Sequence, residues 1–203
     1  MSTIKLYSFP VSGYSHRVRV FTALLGLDIK LINVDLRNAE QKTPAFLAKN
    51  PAGQVPVIED DEVTLADSNA ILLYLAQKYD ASRQWYPESI IQQAHIQRFL
   101  TFAAHKVANG PATARLIKLF GAPLDYELAL NVSKDALTQL EAHLKDRNWL
   151  VGEQATIADI ANYTYVAHAP EGEVDLSPYP HVIAWLQRFE QLPGFVPMQK
   201  MQA

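Results

Sequence analysis

The chain has 203 residues, 49% of them apolar, a formal net charge of −3 and no cysteine. That length allows one or two domains with a core that needs no covalent staples. The charge offers nothing to nucleic acid or an anionic membrane surface, and the missing cysteine removes disulfides, thiolate metal sites and a cysteine nucleophile of the chain's own. With no signal-peptide pattern and no apolar run near ~18 residues, a soluble, unexported, cytoplasmic protein is expected.

Ile4 to Phe9 reads as a first strand, Pro10 to Gly13 as a loop, and Ser15 to Leu25 as a helix closed by Gly26. Ile29 to Val34 reads as a second strand. Thr43-Pro44 is an N-cap followed by an N1 proline, opening a short helix that carries Phe46 and Leu47. The stretch Asn50–Ser68 then reads as turn, strand, reversal at Asp60-Asp61, returning strand from Val63 and helix start, with Asp67 or Ser68 as cap. Ile71, Leu72, Leu75 and Ala76 give that helix an apolar face ending near Tyr79. The order βαβ, α, ββα is that of a thioredoxin-type half, with the first two strands parallel.

Pro56 is unusual inside this strand-like run, because proline cannot donate to a ladder. Pairing that stops there leaves the Val55 backbone groups open to another extended chain. The helix N-terminus at Ser68 suits a carboxylate. A peptide-like anion held between the two is one reading; a strand ending on proline before an ordinary hairpin is the other.

Asp80 to Glu88 has no helical period and contains Pro87, which reads as a linker, with Trp85 and Tyr86 pinning it. Everything beyond is helical in period. Ile90 to Phe120 forms one long segment that Gly110-Pro111 kinks or breaks. Leu128 to Leu144 follows. Thr156-Ile157-Ala158-Asp159 outlines a capping box for a helix to about His168, with Asp in place of the stronger Glu or Gln and only Ala155 to meet Ile160 as a staple. A last helix carries Val182, Trp185 and Phe189. His95 and His105 lack metal-ligand spacing and read as satisfied structural histidines.

The Asn50–Ser68 run resembles the glutathione-binding core of the soluble glutathione transferases, in a bacterial-looking, serine-type version, and the likeness extends over nearly all of the chain. It implies an α/β thioredoxin-like N-terminal domain over residues 1–79, a linker over 80–88 and an all-α C-terminal domain over 89–203 holding the second substrate. It also implies a cis Val55-Pro56 bond. Glutathione is then the co-substrate, with no permanently bound cofactor and no metal. Lys42 corresponds to the lysine that meets the glycine carboxylate, though Gln41 stands where the family often has histidine. Gln54 and the Val55 backbone bind the peptide. Ser68 takes the γ-glutamyl carboxylate and Asp67 the amino group, roles compatible with plain helix capping. The family pairs as two-fold homodimers beside the long helix. Nothing in the likeness points to nucleic acid or membrane.

A free thiol has a pKa near ~8.5, so a protein that uses glutathione as a nucleophile must stabilise its thiolate with donors. Four hydroxyls in or beside the first loop come into question. Ser12 lies five residues before Arg17, the spacing of the family's catalytic serine. Ser8 stands where tyrosine-type members carry their tyrosine, and Tyr7 is one residue out of that register, hence on the opposite strand face. Tyr14 at the helix start is the alternative to Ser12, and bare backbone N–H groups are a third source. Gly13 would give room for close approach and positive φ. Arg17 reads as part of a structural ion pair. Val11, Tyr14, Phe102, His105 and Tyr163 are candidates for a second-substrate pocket, each also readable as core packing. The expected activity is attack of glutathione thiolate on small apolar electrophiles, a detoxification reaction. The alternatives are a glutathione-dependent isomerase or peroxidase on the same fold, and a non-catalytic binding protein. Zeta-like isomerases carry Ser-Ser-Cys where this chain has Ser12-Gly13-Tyr14, which counts against the isomerase.

Overall fold

The computed structural model describes residues 3–201. By internal contacts the chain divides after Ala81 into an α/β unit and a helical unit, and Pro193–Gln199 belongs with the first. The sequence places that tail in the helical domain. It joins the α/β unit because the buried His16 ring bonds the Val196 carbonyl through Nε2 at 2.8 Å.

In the α/β unit, β1 (Ile4–Ser8), α1 (Gly13–Leu24) and β2 (Ile29–Asn33) come first. The short α2 (Pro44–Leu47), β3 (Val57–Asp60), β4 (Val63–Ala66) and α3 (Ser68–Tyr79) follow. The sheet order is β2-β1-β3-β4. β1 and β2 are parallel, with Leu6 opposite Leu31, and β3 is antiparallel to both β1 and β4. The reversal falls at Asp61-Glu62, one residue later than expected, since Asp60 still pairs with Val63 and Asp61 takes the left-handed φ of 52°.

Alternation along β1 sends Ile4, Leu6 and Ser8 to one face and Tyr7 to the other. The first face is closed by Val18, Phe21, Ile71, Leu72 and Leu75, all fully buried. Each such side chain stabilises the fold by about 1.5–3 kcal/mol. On the second face Val34, Phe46, Val55 and Val57 form a smaller core, with Tyr7 edge-on to Phe46. The Thr43 hydroxyl caps α2, whose N1 proline has no N–H to satisfy.

Residues 80–89 form neither helix nor strand. In the helical unit, α4 (Ile90–Phe102) passes into a π-helical stretch, Ala103–Ala112, and on into α5 (Thr113–Phe120). Of the kink or break expected at Gly110-Pro111, the break does not occur. Proline cannot donate, and its ring collides with the carbonyl four residues back in an α-ladder; the wider π-ladder takes that turn instead. Gly110 is needed for another reason: a Cβ there would come within 2.8 Å of the Ser133 backbone nitrogen, on α6 (Tyr126–Leu144).

α7 (Ile157–Ala167) is buried along almost its whole length, and α8 (Pro180–Glu190) completes the unit. The capping box is present. The Thr156 hydroxyl accepts from the Ala158 N–H, and the Asp159 carboxylate returns to the Thr156 N–H at 2.9 Å. Asp159 also accepts from the Leu150 N–H at 3.0 Å and from the Trp185 indole N–H at 2.9 Å, so one buried carboxylate ties α7, α8 and the preceding loop together. The first turn of α8 is capped from a distance: Glu141 on α6 accepts from the His181 and Val182 N–H groups. Among the described residues no helix is long and apolar enough to cross a membrane.

Candidate active site

α1 begins two residues earlier than expected because Ser12 is its N-cap. The Ser12 backbone is extended (φ −78°, ψ 118°), and its Oγ accepts from the Ser15 N–H at 3.2 Å. This arrangement satisfies one of the free N–H groups of the first turn. It uses the oxygen as acceptor, and among the described residues nothing takes the hydroxyl proton. Ser12 is partly exposed. The residue therefore presents an O–H donor at the positive end of a helix with no acidic side chain in its first turn. Gly13 is the buried first residue of the helix and does not take positive φ.

The other hydroxyls are differently engaged. Ser8 is buried, and its oxygen accepts from Arg19 Nη1 at 2.8 Å. Tyr7 lies on the opposite sheet face, where its phenol donates to Glu59 at 3.1 Å. Lys49, Lys5 and Tyr7 all bond Glu59, and the Lys49 ammonium above all holds that carboxyl down to about 2. Tyr14 is half-buried, its ring 4.8 Å from the Arg17 guanidinium carbon. Val11, three residues earlier, is buried.

Arg17 links α1 to the start of α3. Its Nη1 donates to Ser68 Oγ at 3.2 Å and to Asn69 Oδ1 at 3.4 Å. Ser68 is buried, whereas Asp67 is exposed and caps α3 by accepting from the Ala70 N–H at 2.9 Å. Asp67 holds φ at 70°, a conformation that non-glycine residues rarely adopt and that clusters at ligand-binding positions. Its carboxylate and the open helix terminus thus stand together, one suited to an ammonium and the other to a carboxylate.

The Val55–Pro56 bond is cis. Val55 lies before β3, and neither its N–H nor its C=O has a hydrogen-bond partner among the described residues. A buried residue with both main-chain groups unpaired is a ready edge for an extended ligand. Just before it, Asn50 holds the turn by donating to the Gln54 carbonyl at 2.8 Å. Lys42 is exposed and folds over this turn, its Nζ 3.4 Å from the Ala52 carbonyl. Gly53 adopts φ 60°, and a Cβ there would meet that Nζ at 2.7 Å. Lys42 thus lies over the turn that leads into Gln54 and Val55, and Arg17 is tied to Ser68 and Asn69 at the start of α3, next to Asp67.

The remaining candidates sit in the helical unit. Tyr163 is not a pocket residue: it stacks on Phe189 with centroids 4.3 Å apart, and its hydroxyl donates to Glu190. The residue is also almost fully buried, which leaves little of its ring open to a ligand. Phe102 is half-buried and edge-on to Phe99. His95 and His105 are exposed, so neither is the satisfied structural histidine that the sequence suggests. Arg19 escapes sequence reading altogether; it holds the first loop through three bonds, described below.

A four-stranded mixed sheet carrying a cis-proline edge, joined to an all-helical unit, defines the class of the thioredoxin-like transferases. Residues 2–77 match the family description "Glutathione S-transferase, N-terminal domain", and residues 125–193 match "Glutathione S-transferase, C-terminal domain". Glutathione S-transferase D7 of Anopheles gambiae is 30% identical over 90% of this chain and 84% of its own. A glutathione S-transferase structure from Pseudomonas fluorescens superimposes with a TM-score of 0.91 at 35% identity, covering 98% of this chain and all of that one. A glutathione transferase homologue from Drosophila mojavensis, with bound glutathione, gives 0.87 at 32% identity, covering 95% and 90%. The chain belongs to the glutathione S-transferase family.

Proposed function

We propose that this protein is a cytoplasmic glutathione transferase of serine type, in which Ser12 donates its hydroxyl proton to the sulfur of bound glutathione and the thiolate attacks a small apolar electrophile. The observation that carries the reading is Ser12 itself, a helix N-cap whose oxygen is engaged and whose proton is not. A donor aimed at a thiolate stabilises the charged form more than the neutral one and lowers the thiol pKa. The attack forms a carbon–sulfur bond: in a substitution the leaving group departs with its bonding electron pair, and in an addition the π pair of the activated double bond moves onto the electrophile, which then takes up a proton from water.

In this reading residues 1–79 hold glutathione. Lys42 faces the glycine carboxylate, and Gln54 with the open Val55 backbone pairs the peptide. Ser68 and the start of α3 take the γ-glutamyl carboxylate, and Asp67 takes the ammonium. The helical domain over residues 89–203, reached through the linker at 80–88, receives the electrophile, with Phe102 as an apolar contact. Detoxification by conjugation is the physiological role that fits this chemistry.

Glutathione should bind the native state and raise the melting temperature with concentration, by about 2.7 kcal/mol of stability at a hundredfold excess over Kd. Thermal shift and turnover with a panel of electrophiles, glutathione being varied, test the proposal together. Binding with no turnover on any electrophile would leave a glutathione-binding protein, and no shift at millimolar glutathione would remove the reading.

The protein is further proposed to be a two-fold homodimer. Ile90 and Ile91 at the start of α4 are 82% and 72% exposed, an apolar pair that a monomer leaves in water. Sedimentation at micromolar concentration should give twice the 22.7 kDa chain mass; a mass of one chain would refute the pairing.

A further inference from the structure

Arg19 sits two turns into α1. Long helical side chains lean back toward the N-terminus, so its guanidinium returns to the loop that leads into its own helix. There Nη1 donates to Ser8 Oγ at 2.8 Å and to the Phe9 carbonyl at 3.0 Å, and Nη2 donates to the Pro10 carbonyl at 2.7 Å. Three consecutive residues are held by one planar fork. The Phe9 carbonyl is also the acceptor of the Ser12 N–H at 3.1 Å. Arg19 and Ser12 therefore meet on a shared oxygen, and displacement of the fork moves the peptide that fixes the Ser12 backbone.

The charge on Arg19 is unusual as well. Among the described residues no carboxylate pairs with it, and burial pulls its pKa below the ordinary guanidinium value. A half-buried cation matched only by a hydroxyl and two carbonyls keeps its net charge. Beside a loop that is to face an anion, that charge favours the anionic form.

We propose that Arg19 is a positioning residue for thiolate formation: by clamping Ser8, Phe9 and Pro10 it sets the loop from which Ser12 addresses the sulfur. The inference rests on the reading of Ser12 given above. It assigns Arg19 no contact with glutathione. Lysine cannot replace it, because a single ammonium has no planar fork with which to span all three acceptors.

The test is to titrate the thiol of bound glutathione by its thiolate absorbance in wild type, Arg19→Lys and Ser8→Ala, with kcat, KM for glutathione and melting temperature measured alongside. Ser8→Ala removes one acceptor and leaves the two carbonyls, so it remains informative if Arg19→Lys folds poorly. The expected result for Arg19→Lys is a bound-thiol pKa raised by about one unit and kcat lowered about tenfold at neutral pH, recovering at high pH. The KM for glutathione should stay within about threefold, because Lys42, Asp67 and Ser68 are untouched. Ser8→Ala should shift the pKa in the same direction and less. A wild-type thiol pKa in both variants, with only the melting temperature lowered, would make Arg19 a structural staple and overturn the inference. A wild-type complex whose thiol titrates like free glutathione would remove the Ser12 reading, and this inference with it.

Discussion

Ser12→Ala is expected to cut turnover at neutral pH by about 10- to 1000-fold, the loss typical of one oxyanion donor or somewhat less. The substitution takes away the O–H donor and, with it, the cap on the Ser15 N–H. The lost cap costs about 1 kcal/mol of stability, which is too little to unfold a 203-residue protein. The rate loss instead follows from the thiol: with the donor gone its pKa rises toward the free value, and less thiolate is present at pH 7. Two consequences separate this from general damage. The deficit should shrink as pH rises and glutathione ionises unaided, and glutathione affinity should change much less than kcat. A pH–rate profile of wild type against Ser12→Ala and Tyr14→Phe reads both. An unchanged Ser12→Ala profile alongside a collapsed Tyr14→Phe profile would move the role to Tyr14. If neither profile changes, the backbone N–H groups at the start of α1 are sufficient.

The largest stability effect is expected at Asp159. Its carboxylate is fully buried and accepts from the Leu150 N–H, the Thr156 N–H and hydroxyl, and the Trp185 indole. Asp159→Ala strands those donors in the core of the helical unit. The expected cost is about 3–5 kcal/mol, or roughly 6–20 °C in melting temperature. Asp159→Asn keeps an acceptor for some of these groups but turns its amide N–H₂ against one of them, and it should lose less. Burial pushes the carboxyl up to about 6, against the pull of its four donors. The folded state then binds more protons than the unfolded one between the unfolded value near ~3.9 and about 6. The contribution of Asp159 is thus fullest below that window and falls as pH rises through it. Wild-type stability minus Asp159→Asn stability should decline from pH 4 to 6 and level off above. A flat difference would mean that the donors outweigh burial.

Much of this architecture is written locally. Thr43-Pro44, Asp67-Ser68 and the Thr156–Asp159 box mark helix starts through side-chain caps that act within three residues, and the observed helices begin there. Alternation in β1 separates Tyr7 from Ser8, and each is indeed committed to a different face. What the sequence hides is long-range. Arg19 is an ordinary charge in the run VRVF until its fork is seen returning to a loop nine to eleven residues back. Glu141 caps α8 from forty residues away, which no local pattern encodes. Pro111 reads as a breaker because its local chemistry is that of one; that a π-ladder carries the helix past it is not marked in the local sequence. Tyr163 reads as core first and as a pocket wall second, and its stack on Phe189 agrees with the first. At the candidate site, the residue types proposed to meet the peptide are legible. The open Val55 backbone is legible too, from a strand that stops pairing at Pro56; the free Ser12 proton is not, since it is a property of what fails to pair.

The central claim, that this chain holds glutathione and ionises it, is tested most directly by calorimetric titration of glutathione at pH 7 in buffers of different ionisation enthalpy. If bound thiol becomes thiolate, each binding event releases a proton, and the apparent heat varies linearly with the buffer's own enthalpy. The account predicts saturable binding with a substantial fraction of a proton released by wild type and much less by Ser12→Ala. Saturable binding with no buffer dependence in wild type, or no binding heat at all, would contradict it.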